Sequence, residues 1–136
     1  MTESAVVRVE CAADTRFIDA AQDALDRLWA GAPHVNDEDR MLFSLAVAEI
    51  AANVVQHGSA REEVIVNMVL AADEDAVMAE FTDTADPALI LLDRVAMPDV
   101  EAESGRGLAL ALAALDELTH ETASGNTWRL RRHLRG

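Results

Sequence analysis

The chain has 136 residues, enough for one domain with a real core and too few for two comfortable ones. It carries 25 acidic against 11 basic residues, a formal net charge of −14, which repels nucleic-acid phosphates and anionic lipid. With three Phe, two Trp and no Tyr, base-stacking and sugar-binding modules are also disfavoured.

The N-terminal MTESAVVRVE has neither a basic n-region nor an apolar h-region, and no apolar run approaches the length of a membrane span. Cys11 is the only cysteine, so no internal disulfide forms and a reducing compartment is expected. These features predict a single cytoplasmic domain over residues 1–136, with no membrane and no direct nucleic-acid partner. Within that opening stretch, Ala5 to Glu10 alternates as a short strand.

Asp14 and Thr15 offer caps for a helix running to about Ala30, with Phe17, Ala21, Ala24, Leu25 and Leu28 at helical spacing. GAPHVN, residues 31–36, breaks it. A second helix is predicted from Asn36 or Asp37 to His57, with acids in its first turn and Gly58 as its stop. Glu62 to Leu70 reads as a strand, AADED as a hairpin turn, and Ala76 to Thr82 as the returning strand.

Asp83 to Pro87 is a polar break, and 88–104 is weakly patterned. Gly105 to Gly107 opens a helix predicted to reach about Leu118, and His120–Ala123 with Asn126–Leu134 read as a final strand pair around Ser124-Gly125. The arginines at 129, 131, 132 and 135 read as a solvated basic tail. Helices grouped apart from antiparallel pairs predict an α/β two-layer sandwich, its mixed, largely antiparallel sheet covered on one face by three helices.

Within the second helix, EIAANVVQHG places Glu49, Asn53 and His57 four residues apart. At about 100° per residue they form one slowly drifting polar stripe on an otherwise apolar helix. The plain alternative leaves Glu49 and Asn53 partly exposed and uses His57 to cap the helix C-terminus. The other is a site: Glu49 to orient or deprotonate a hydroxyl, and Asn53 to offer an amide oxygen to a hard cation such as Mg²⁺. Downstream, Asp83 follows a strand at a turn, and Gly105 and Gly107 precede a helix whose N-terminus presents N–H groups to phosphate.

A helix bearing E-x3-N, a hairpin ending in Asp, a loop, and a GxG-helix in that order resemble the Bergerat-fold (GHKL, histidine-kinase-like) ATPases. Within them the chain is most similar to the anti-sigma factor serine/threonine kinases. EIAANVVQHG matches the N box, DTADP the first glycine box, GRGLALA the second and GNTWRLRRHL the last strand, so the resemblance spans nearly the whole chain.

The resemblance implies ATP and Mg²⁺ as ligands. It makes Glu49 the general base toward a protein serine, Asn53 the Mg²⁺ ligand, and Asp83 the acceptor for the adenine amino group. Ala85 lies against the nucleotide, and Gly105, Arg106, Gly107 and Leu108 contact the phosphates through backbone N–H groups. His57 matches a residue usual in these kinases and is carried over as structural support. The implied partners are a sigma factor and an anti-anti-sigma factor that is phosphorylated, and the implied assembly is a homodimer.

The chain departs from the family at Ala85 and Pro87, which stand where the first box has glycines. That departure keeps a second reading open: a non-catalytic or weakly nucleotide-binding module working by protein contacts. A switch kinase that activates a phosphatase shares the same site residues.

Overall fold

The computed structural model describes residues 4–58, 64–84, 103–122 and 125–135. Five strands form one sheet: β1 (Ala5–Ala12), β2 (Ile65–Ala72), β3 (Ala76–Asp83), β4 (Glu117–Glu121) and β5 (Asn126–His133). Their order is β1-β2-β3-β5-β4, and among the described residues every ladder is antiparallel, in keeping with the largely antiparallel sheet expected. Three helices, α1 (Thr15–Ala30), α2 (Asp37–Gly58) and α3 (Glu103–Ala114), complete the two-layer sandwich.

Period-two alternation decides which sheet face meets the helices. Val66, Met68 and Leu70 of β2, Val77, Ala79 and Phe81 of β3, and Trp128 and Leu130 of β5 are buried. Glu80 and Arg129, on the other face, are about half exposed and ion-paired at 3.0 Å. From the helix layer, Phe17 meets Phe81 edge-on with ring centroids 6.0 Å apart.

The first two helices start where their capping residues stand. Asp14 accepts from the Arg16 backbone N–H at 2.9 Å, and the buried face of α1 is the predicted set Phe17, Ala21, Ala24, Leu25 and Leu28. Asn36 Oδ1 accepts from the Asp39 N–H at 2.8 Å, which makes Asn36 the N-cap of α2. The β2–β3 turn is tighter than AADED suggests, because Asp73 Oδ1 accepts from the N–H groups of both Asp75 (2.7 Å) and Ala76 (2.8 Å). The hydrogen bonds from Asp75 and then Ala76 hold the Asp73 carboxyl below the usual range.

Two sequence expectations fail at the C-terminal end. Helix α3 stops at Ala114 rather than near Leu118, and Glu117 and Leu118 begin β4 instead. The arginines are not a uniformly solvated tail either: Arg132 is 4 % exposed. These failures share a cause, since Arg132 Nη1 donates to the Ala114 carbonyl at 2.8 Å and caps the last turn of α3. The chain then pairs with β5 through Leu118↔Leu130 and His120↔Trp128.

Candidate functional site at the Asp83 end of the sheet

A buried clasp sets how the helices lie over the sheet. Arg132 of β5 donates from Nε to Asp39 Oδ1 at 3.0 Å, and its Nη2 lies 2.9 Å from the same oxygen. The start of α2 and the end of α3 therefore meet at one end of β5, and α2 packs against both α1 and α3. Asn53 lies 14 residues beyond Asp39 on α2, a rise of about 21 Å. Asn126 lies six residues from Arg132 on β5, a rise of about 20 Å. The two lengths from the clasp are alike, so α2 reaches as far along the sandwich at Asn53 as β5 does at Asn126, the partner of Asp83 on β3. From Ala114, α3 runs back about 16 Å to Glu103, so its N-terminus heads toward the same end.

The flank of α2 that meets this end can be worked out from Ser44. Its Oγ accepts from Trp29 Nε1 of α1 at 3.3 Å, marking the side of α2 that faces α1. Glu49 and Asn53 are five and nine residues on, about 140° and 180° around the helix from Ser44. They therefore occupy the flank away from α1, where α3 packs. Both are half-buried, which suits neither a core residue nor a fully solvated one. Asn53 Nδ2 donates to the Glu49 backbone carbonyl at 3.3 Å, so its oxygen is the end turned away from that turn of helix. His57 is the penultimate residue of α2.

Asp83 is the last residue of β3 and is 4 % exposed, on the same helix-facing row as Phe81 and Ala79. A carboxylate there must be compensated. Asn126 Nδ2 donates to Asp83 Oδ1 at 3.0 Å, and Asn126 Oδ1 lies 2.9 Å from His120 Nε2 on β4. His120 is stacked on Trp128, with centroids 4.1 Å apart and planes 20° from parallel. Next to this row, Gly125 has φ +87°, and a Cβ there would overlap the Asp83 carbonyl oxygen. Glycine is needed at this point both for its left-handed backbone and for the close approach.

The second glycine box begins inside α3, since the helix starts at Glu103, two residues before Gly105. Gly105 falls in the first turn, whose N–H groups have no partner within the helix. Gly107 and Leu108 are the fifth and sixth residues of the helix, just past its first turn. Ala85 and Pro87 lie outside the described residues. By these rises the structure directs Glu49 and Asn53 on α2, Asp83 on β3 and the start of α3 toward one end of the sandwich. It adds Asn126, His120 and Gly125, which the sequence reading did not assign to the site. Only Gly125 carried a local signal, as a turn glycine.

A model of the histidine kinase-like ATPase domain matches residues 11–132. The chain belongs to that family. No curated protein sequence matches it. A histidine kinase-like ATPase domain implies ATP as the ligand class, and the residues gathered here fit such a nucleotide: an acceptor for a base on the sheet floor and a helix N-terminus for phosphates. Among the described residues no group of three or more His, Cys, Asp or Glu side chains is placed to hold a metal ion.

The opposite face of the sheet has a depression of about 540 Å³, lined by Val69, Met78, Thr119, Arg129 and Arg131 among others. The sheet itself separates it from the helix-facing side that carries Asp83. Among the described residues, no helix of this domain is long and apolar enough to cross a membrane.

Proposed function

We propose that the protein is an ATP-dependent serine/threonine kinase that acts as an anti-sigma factor, binding a sigma factor and phosphorylating an anti-anti-sigma partner. The reading is supported by Glu49 and Asn53 sharing one flank of α2, by the helix rise that carries them toward the Asp83 end of the sheet, and by the start of α3 heading the same way. In this reading Asp83 accepts from the adenine amino group, and the first turn of α3, with Gly105 and Arg106, meets the phosphates. Asn53 offers its amide oxygen to Mg²⁺, which offsets phosphate charge. ATP supplies the γ-phosphoryl group. Glu49 takes the proton from the partner's serine as its Oγ–P bond forms and the P–O bond to ADP breaks.

Glu49 is the residue that favours a kinase over a binding module, since only hydroxyl activation requires a carboxylate at that point. The test is phosphoryl transfer from Mg·ATP to a purified anti-anti-sigma protein by wild type and Glu49→Gln. The variant should bind Mg·ATP as wild type does and transfer phosphate at least about 100-fold more slowly. Transfer at the wild-type rate would remove the base role. The module reading, favoured by Ala85 and Pro87 in the first box, requires that wild type transfers no phosphate at all. The same kinase reading carries the sigma-factor contact, the cytoplasmic setting and the homodimer.

A further inference from the structure

We propose that Asn126 and His120 are positioning residues that hold the Asp83 carboxylate for an amino-bearing purine, and so set base selectivity. This rests on the reading of Asp83 as the base acceptor. Three adjacent strands supply the three side chains: β3 gives Asp83, β5 gives Asn126 directly opposite, and β4 gives His120. They form an ordered chain, Asp83 Oδ1 to Asn126 Nδ2 at 3.0 Å and Asn126 Oδ1 to His120 Nε2 at 2.9 Å.

The chemistry gives this chain a direction. An ionised carboxylate only accepts, so the amide must turn its NH₂ toward Asp83 and its oxygen toward His120. His120 must then carry its proton on Nε2. The imidazole is held flat against Trp128, itself 2 % exposed, so the donor has a defined position. Asn126 is 2 % exposed, and in so dry a place an aligned amide–carboxylate bond is stronger than on the surface. Gly125 lets the β5 chain close onto the Asp83 backbone, which brings Asn126 within reach.

A carboxylate with fixed orientation distinguishes a base that donates an exocyclic N–H from one that does not. A purely structural cross-link between three strands would affect every nucleotide alike. The experiment is calorimetric titration with Mg·ATP and with purine riboside 5′-triphosphate, which lacks the 6-amino group, using wild type, His120→Phe and His120→Gln. Wild type should prefer ATP by about tenfold or more, as expected for a hydrogen bond to a charged group. His120→Phe keeps the stack on Trp128 but removes the donor, and should narrow that preference by about fivefold through weaker ATP binding. His120→Gln keeps an N–H at similar reach and should restore it.

If wild type does not discriminate, the Asp83 base-acceptor role itself falls. If wild type discriminates and His120→Phe retains the full preference, only the positioning role falls. Should His120→Phe fail to fold, long-range ¹H–¹⁵N correlation on wild type decides: an Nε2–H tautomer for His120 is expected, and an Nδ1–H tautomer overturns the proposal.

Discussion

Asp39→Ala should be among the most destabilising single changes in the chain. It removes the carboxylate that accepts from Arg132 Nε (3.0 Å), pairs with Arg132 Nη2 (2.9 Å), and accepts from the Arg135 backbone N–H (2.9 Å). Arg132 is 4 % exposed and, among the described residues, keeps only the Ala114 carbonyl. Stranding a buried charge in this way costs about 3–5 kcal/mol. At about 2.1 cal/mol/K of unfolding entropy per residue, a chain of 136 residues should lose about 10–17 °C in Tm. Thermal unfolding followed by far-UV circular dichroism measures this directly. The double variant Asp39→Leu with Arg132→Met should recover most of the loss, since it leaves no unpaired charge. A fall of less than about 3 °C in the single variant, or a double variant no better than the single, would refute the buried clasp.

Gly125→Ala should lower stability by about 1–3 kcal/mol, because it combines a left-handed φ with overlap onto the Asp83 carbonyl; urea unfolding reads the change, and a neutral result would contradict the close approach. Asp83→Asn should weaken Mg·ATP binding by about tenfold while sparing purine riboside triphosphate, and equal loss for both nucleotides in calorimetry would count against base recognition. The Asp73 carboxyl is held below its usual range by N–H donors from Asp75 and Ala76, so its charge contributes stability above the unfolded pKa of about 3.9 and loses that contribution as pH falls through the lower folded value. The stability gap between wild type and Asp73→Asn should accordingly be constant above about pH 5 and close on acidification; a pH-independent gap in urea unfolding would remove the assigned cause.

Where a signal was local, the sequence carried it well. Helix α1 was legible because Asp14 caps it and Phe17, Ala21, Ala24, Leu25 and Leu28 repeat at helical spacing. The β2–β3 hairpin was legible from two apolar runs around an acidic turn. The end of α3 was not, because LALALAALDEL keeps a helical pattern through Leu118. What stops the helix is Arg132, distant in sequence, capping Ala114, together with pairing of residues 117–121 to β5. The burial of Arg132 was hidden for the same reason, since four arginines in a short stretch look like solvated surface until Asp39 is brought against one of them.

By itself, the sequence determined the two-layer architecture, the polar stripe of Glu49 and Asn53, and the acid at the end of β3. Each of these follows from spacing or order along the chain, and residues four apart on a helix share a side whatever surrounds them. Tertiary structure alone decided that the start of α2 and the end of α3 are clasped together at one end of β5 by Arg132. It also decided that Asn126 and His120 join Asp83, because antiparallel registry sets side by side residues whose order in the chain says nothing of their meeting. A hydrogen bond spanning 43 positions, from Asn126 to Asp83, depends on strand pairing that no local pattern encodes.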